Sequence, residues 1–275
     1  MRNNIKTMKL YGQVDRVFNE LRALGISEQS PLSVDTLTQF DQYHYLGTEA
    51  VDAAIDKMKI SESKSLLEVG GGIGGPSRYL AHRTGCSMTV LELQQDLNEV
   101  ALNLTERCAL SHQVRHVCGD ILDGPPTGAP FDGLVSWLTF VHIPDREKLY
   151  RTCFQALKPG AAIYVEDFFE KRTLTADEKL ALEREVYCSY VPTMEDYASC
   201  LEEAGFINLE LIDVSNEWTD FVVARRIMFE QSREQHIAVH GVEIVDALSQ
   251  FYSAIDQLFS AGNLGGICFY AERPD

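Results

Sequence analysis

Ser65-Leu66-Leu67-Glu68-Val69-Gly70-Gly71-Gly72-Ile73-Gly74-Gly75 decides the fold. Its first five residues have the composition of a buried strand, and a helical pattern starts at Pro76. Glycines crowded between a strand and a helix let the backbone turn sharply and approach a ligand, because a Cβ there would collide with it. Downstream the periodicity alternates: helix 76–83, strand 87–91, helix 95–109, strands 114–117 and 133–136, and helix 146–157. Lys158-Pro159-Gly160 stops that helix before a strand at 161–165.

Five strands joined mostly by helices predict an α/β chain with a Rossmann-like, doubly wound, mostly parallel sheet and a ligand crevice at the carboxyl ends of its strands. Helices are expected at 11–24 and 46–58 before this core. After it come helices 175–186 and 193–204, strand 207–214, helices 221–239 and 242–260, and strand 266–271. Thr193 with Asp196 has the spacing of a capping box, and Gly205 ends that helix. No linker or internal repeat divides the chain, so one domain, 1–275, is expected. Residues 1–60 would form a helical N-terminal cover, 61–170 the core, and 171–275 a C-terminal cover of helices and closing strands.

Composition narrows the function classes. With 275 residues the chain can bury a full core. The net charge of −17 opposes a phosphate backbone, so nucleic acid is not an expected partner. No apolar run approaches the ~20 residues of a membrane span. The first ten residues carry positive charge but no apolar segment of a secretory signal, so a cytoplasmic location is the expectation. Seven Cys without a CxxC pair read as reduced thiols, and the seven His show neither HxH nor HExxH spacing, so no metal site is expected. A homodimer is the one assembly considered.

The glycine loop satisfies two templates. Gly70, Gly72 and Gly75 fit the GxGxxG of dinucleotide folds, while Glu68, Gly70, Gly72 and Gly74 fit the acidic-xGxGxG of enzymes that use S-adenosylmethionine (SAM). A carboxylate before the first glycine attracts the ammonium of a methionine moiety and opposes a pyrophosphate, which favours SAM. Glu92, about 20 residues on at a strand end, suits ribose hydroxyls and would serve either ligand. Asp120 in Gly119-Asp120-Ile121 can accept from an adenine amino group; an Asx turn closing the strand is the competing reading.

Together with Glu92, Gly119-Asp120 and Leu157-Lys158-Pro159-Gly160, the loop resembles the class I SAM-dependent methyltransferases. Within them it is similar to the small-molecule group of glycine sarcosine and sarcosine dimethylglycine N-methyltransferases, with phosphoethanolamine methyltransferases as relatives. The likeness covers about residues 41–170, and 259–270 less specifically.

It implies a methyl transfer from SAM to a small-molecule acceptor. It also implies that Glu68, Gly70 and Gly72 hold the methionine end, Glu92 the ribose and Asp120 the adenine, with Leu93 and Ile121 flanking the ring. The lead-in Asp41-Gln42-Tyr43-His44-Tyr45 would fold over the donor, so Gln42 and His44 become donor contacts and Tyr43 a catalytic candidate. Trp137 and His142, in the segment after the fourth strand, complete the candidate site.

The expected acceptor is an amine or amino acid nitrogen, which the acidic balance favours by concentrating cations, with a hydroxyl as the alternative. An amine would want aromatic faces, from Tyr43, Tyr45, Trp137, Tyr187, Tyr190 or Trp218, and a carboxylate, from Glu166 or Asp167. A hydroxyl would want a base, for which His142 is the candidate. An NAD-dependent oxidoreductase and a SAM-binding protein without catalysis are the other readings; no TyrxxxLys pair supports the first.

Overall fold

The computed structural model describes residues 13–275. Strands β1 (Ser65–Val69), β2 (Ser87–Glu92), β3 (Val114–Cys118), β4 (Phe131–Trp137), β5 (Leu157–Glu170), β6 (Ile207–Asp213) and β7 (Leu264–Glu272) make one sheet in the order β3-β2-β1-β4-β5-β7-β6. The first five pair in parallel, and β7 lies antiparallel between β5 and β6. The reversal of winding direction beside β1 places the crevice at the ends of β1, β2 and β4, where the glycine loop sits.

Strand periodicity assigns the faces. Leu67, Val69, Leu134, Ile163 and Val165 point into a core shared with α6 (Arg146–Ala156) and α8 (Met194–Ala204). Their alternates Leu66, Val135, Trp137 and Tyr164 face α3 (Thr48–Met58) and α4 (Gly75–Thr84). Glu68 and Glu166 therefore lie on the α3/α4 side, an apolar place for carboxylates.

Two covers close the cleft. From the N-terminal side come α1 (Arg16–Ala23), α2 (Val34–Leu37) and the 38–47 lead-in, which pack with α5 (Gln95–Arg107). From the C-terminal side come α7 (Ala176–Ala181), α9 (Ser215–Gln231), α10 (Arg233–His240) and α11 (Val242–Ser260). Their apolar faces enclose Tyr45, Phe168, Trp218, Phe251 and Phe259. No helix among the described residues is long and apolar enough to cross a membrane.

Several boundaries differ from the expectation, each for a non-local reason. The expected strand 161–165 is the 14-residue β5, because β7 pairs with it from Ala162 through Glu170. Lys158-Pro159-Gly160 falls inside β5, where the pairing with β4 shifts register between Phe131 and Gly133. The expected helix 221–239 starts at Ser215, whose N–H is accepted by Asp213 Oδ1 (2.9 Å), and is divided at Ser232. The 175–186 helix keeps a capping box at Thr175–Glu178, then widens into a π-helical turn at Leu182–Val186. The capping box at Thr193–Asp196 and the stop at Gly205 are as expected. The N-terminal helix expected over 11–24 is seen as α1, with residues 11 and 12 outside the described residues.

Candidate active site

The glycine loop is shaped mostly by its protein neighbours. A Cβ on Gly70 would strike Thr139, on Gly71 Val90, on Gly74 the His116 ring and on Gly75 the Asp41 carbonyl. Gly72 is different: at φ +53 it adopts a conformation that disfavours a side chain, and a Cβ there would meet only open space. The loop's single open face is thus at Gly72. Gly70 N–H reaches the Leu91 carbonyl (2.7 Å) and Gly72 N–H reaches Glu92 Oε2 (2.8 Å).

Glu92 fastens this turn from both sides, since its Oε1 also accepts from Gln94 N–H (2.8 Å). Burial raises its pKa, and the backbone donors of Gln94, Gly72 and Leu93 oppose that rise. A carboxylate has about four lone-pair positions, so two bonds leave acceptor capacity on each oxygen. From here a cleft of about 350 Å³ runs along Val69, Gly70, Gly72, Leu91, Glu92, Leu93, Gln94, Leu97, Gly119, Asp120, Ile121 and Leu122 to Thr139 and His142. That volume lies in the range of small-molecule sites, roughly 300–1,000 Å³. Asp120 caps a short 3-10 turn by accepting from Leu122 N–H with Oδ1 (2.8 Å), so the Asx turn exists and one carboxylate oxygen is still available to the cleft.

A narrower chamber opens on the other side of the loop. It is lined by Glu68, Gly70 to Ile73, Tyr43 to Tyr45, Trp137 to Thr139, Val141, His142, Phe168, Val186, Arg225 and Phe251. Gly70, Gly72, Thr139 and His142 border both spaces, so the two meet at the loop.

Glu68 is only 2% exposed and accepts a hydrogen bond from the Ser77 hydroxyl. Burial pushes its pKa up to about 7, with Ser77 and Arg78 opposing and Glu92 adding to the rise. His44 donates Nε2–H to the Gly47 carbonyl (2.9 Å), its ring 5.5 Å from that of Trp137, and burial pushes it down to about 4. His142 ends the Phe140–His142 3-10 turn; burial takes it to about 4, against the backbone at Tyr187 and Val186. That backbone is the end of the π-helical turn, so an irregular helix holds a site residue. Tyr43 is partly buried beneath the Arg16 guanidinium (5.4 Å to the ring centre), and the desolvation of its hydroxyl raises its pKa.

The lead-in is bolted down by a buried ion pair, Arg78 Nη2 to Asp41 Oδ2 at 2.9 Å, with Arg78 Nη1 also donating to the Ile73 carbonyl (2.7 Å). From β4, Ser136 donates to the Val69 carbonyl (2.8 Å) and Thr139 to the Gly70 carbonyl (3.2 Å). Leu138 between them takes φ +52, the bend that carries Thr139 onto Gly70.

Eleven of the twelve candidate residues therefore line one of the two spaces: Tyr43, His44, Glu68, Gly70, Gly72, Glu92, Leu93, Asp120, Ile121, Trp137 and His142. Gln42 does not. It lies behind the loop beside Gly75, its Nε2 donating to Asp41 Oδ1 (2.8 Å), because the Asp41–Arg78 pair draws that stretch inward.

Three further expectations need correction. Glu166 and Asp167 sit mid-strand, away from the chamber lining: Glu166 accepts from Tyr164 (2.8 Å), and Asp167 faces Arg146 (3.4 Å). Trp218 is a fully buried packing residue against Gly266, Tyr45 and Phe168. Tyr190 borders a separate groove and Tyr187 closes the π turn, so the chamber's aromatic faces are Tyr43, Tyr45, Trp137, Phe168 and Phe251. Thr139, Leu138, Gln94, Arg225 and Phe251 were not anticipated. Arg225 alone had a legible signal, since it interrupts the apolar stripe Trp218, Phe221, Val222, Phe229 on one helix.

Residues of the two spaces also retain unused polar capacity. Trp137 Nε1 in the chamber and Gln94 Oε1 in the cleft are buried without a protein partner. Glu92 and Asp120 along the cleft, apolar walls from Leu91, Leu97 and Ile121, and Glu68 in the chamber suit an adenosyl amino acid. No group of three or more metal-ligating side chains occurs among the described residues.

A parallel sheet with this loop, this pair of joined spaces and these carboxylates defines the class I SAM-dependent methyltransferase architecture. The chain belongs to the methyltransferase domain family, whose pattern matches residues 42–211. It is 26% identical over 192 residues to methyltransferase GfsG of Streptomyces halstedii, covering 68% of this chain and 66% of that one. It is 25% identical over 219 residues to a phosphoethanolamine N-methyltransferase of Triticum aestivum, covering 78% and 42%. The chain thus spans just under two thirds of the first relative and less than half of the second. The phosphoethanolamine N-methyltransferase 2 of Haemonchus contortus, solved with phosphomonomethylethanolamine and S-adenosylhomocysteine, superposes with a TM-score of 0.81 at 20% identity over 98% of this chain and 58% of its own.

Proposed function

We propose that this chain transfers a methyl group from SAM to a small-molecule acceptor, an amine nitrogen being the favoured nucleophile. The observation that carries the reading is the junction at Gly70, Gly72, Thr139 and His142, where a nucleoside-sized cleft meets an aromatic chamber. Relatives named for N-methylation of phosphoethanolamine and of glycine, sarcosine and dimethylglycine support the amine. SAM, when bound, supplies a methyl carbon already activated by a positive sulfonium.

The protein's residues would then orient and exclude water. Glu68 with the loop would hold the ammonium end, Glu92 the ribose and Asp120 the adenine, with Leu93 and Ile121 beside the ring. Methyl transfer is an in-line displacement, so most of the rate comes from alignment in a water-poor site. Burial in the chamber favours the neutral, nucleophilic form of an amine, and the ring faces of Tyr43, Tyr45 and Trp137 meet the positive charge that develops on it. His44 and His142 are held neutral, with pKa values near 4. A base that weak suits an acceptor that needs no deprotonation better than a hydroxyl, which keeps O-methylation as the second reading.

Thermal melting with S-adenosylhomocysteine, with NAD and with neither tests the ligand. Stabilisation by the homocysteine compound alone is expected; stabilisation by NAD alone would overturn the reading. Labelled-methyl turnover against small amines, amino acids, phenols and acids then tests the acceptor, with amines expected to lead.

A further inference from the structure

Among the described residues the chamber wall contains one arginine, and no carboxylate pairs with it. Arg225 of α9 lines the chamber together with the glycine loop. Its guanidinium lies against three rings, 4.6 Å from the centre of Tyr252, 4.9 Å from Tyr45 and 5.2 Å from Phe221. Aromatic faces satisfy the flat faces of a guanidinium, and the Tyr45 hydroxyl takes one of its in-plane donors. Nε and Nη2 of Arg225 are buried with no hydrogen-bond partner, and no carboxylate pairs with it among the described residues. The neighbouring Arg226 is paired, with Asp256. Arg78 and Arg146, the other buried arginines at the site's edges, face Asp41 and Asp167. A buried donor fork left without an acceptor is costly unless a ligand completes it.

We propose that Arg225 anchors the methyl acceptor by an oxyanion, a carboxylate or a phosphate, carried on an otherwise apolar or aromatic body. The proposal rests on the reading of this chamber as the acceptor's place. A planar fork of N–H donors matches a carboxylate or phosphate bidentately, and the stacked rings fix the fork's orientation before the ligand arrives. Tyr45, Phe168, Val186 and Phe251 supply apolar walls around it. The overall charge of −17 does not oppose this, because charges farther than a Debye length of about 8 Å are screened while a buried pair is not. An acceptor with a nucleophile near the glycine loop and an oxyanion at Arg225 is held at both ends.

The test uses the full chain and calorimetric titration of four probes, with and without saturating S-adenosylhomocysteine: benzoate against benzamide, and phenyl phosphate against phenol. At least one anion should bind about tenfold or more tighter than its neutral counterpart. Arg225→Gln should erase that preference, and Arg225→Lys should keep part of it for phosphate and lose it for carboxylate. Which anion wins separates the two oxyanions. Equal binding of anion and neutral probe in the wild type, or an undiminished preference in Arg225→Gln, would overturn the proposal. If Arg225→Gln fails to fold by circular dichroism, Arg225→Lys carries the same comparison. Failure of the wild type to bind S-adenosylhomocysteine strikes the methyl-transfer reading instead, since the probes are also titrated without it.

Discussion

Replacing Glu68 with Gln separates what the residue costs the fold from what it gives the ligand. In the free protein burial moves this carboxyl from an ordinary 4.5 to about 7, so the folded state prefers it protonated. Between those values the folded chain holds a proton that the unfolded chain has released. Stability from this group therefore falls as pH rises from 4.5 through about 7 and stays low above it. At ~1.36 kcal/mol per unit the full effect is on the order of 3 kcal/mol. Gln keeps the shape without the titration, so Glu68→Gln should gain on the wild type by about that amount between about pH 5 and about pH 8.

The difference between the two proteins is the quantity to read, because other groups titrate in the same window. Glu166, raised to about 7, acts in the same direction as Glu68, whereas His44 and His142, lowered to about 4, add stability as pH rises toward the ordinary 6.5. The assay is urea unfolding at each pH, repeated with S-adenosylhomocysteine. With ligand the order reverses: the ionised carboxylate holds a cationic ammonium, so wild-type affinity should rise through about pH 7 while the variant's stays flat and roughly tenfold to a hundredfold weaker. A variant that gains no relative stability at high pH, or binds the ligand as well as the wild type, would refute the reasoning.

Other expectations follow from the same geometry. Gly72→Ala should cost only about 1 kcal/mol of stability, from its left-handed backbone, yet abolish most S-adenosylhomocysteine binding by titration. Gly71→Ala should instead destabilise by about 1–3 kcal/mol in chemical unfolding, since its Cβ meets Val90. Arg78→Met leaves Asp41 buried without its counter-ion and should cost about 3–5 kcal/mol, with the double variant Asp41→Leu/Arg78→Met recovering much of it. In a kcat/KM pH profile His142→Asn should lower the rate without removing an inflection near pH 7, because His142 titrates near 4; loss of that inflection should come from Glu68→Gln.

What could be read from the sequence was what adjacent residues decide. The strand–loop–helix at 65–84, the helix at 242–260 and the capping box at Thr193 rest on local spacing, and all three are present. The doubly wound order followed from alternation alone. The length of β5 did not, because its second half is a strand through pairing with β7. Gln42 was misplaced for a similar reason: a buried arginine 36 positions on decides where that stretch lies. Carboxylates at 166 and 167 are strand-end residues only for a β5 that stops at Val165, and its pairing with β7 runs on to Glu170. The acceptor side was the least legible, since the chamber joins Tyr45, His142, Val186, Arg225 and Phe251 from five separate stretches of chain.

The antiparallel strand wedged between β5 and β6 also sets an order of assembly. Ala162 pairs with Glu272, and Ile207 pairs with that same residue from the other side, so β6 joins the sheet, and β5 gains a second neighbour beside β4, only when β7 is made. Within residues 61–156 the β1–β2 and β2–β3 pairs join residues 22 and 26 apart (Ser65 with Ser87, Met88 with Val114) and can collapse first, whereas β5 and β7 join residues 94 to 110 apart (Glu170 with Leu264, Ala162 with Glu272). A chain cut before Leu264 would expose the bare margin of β5, with apolar Val165 and Phe169 on one face and Phe168 on the other, and should precipitate rather than yield a smaller working enzyme.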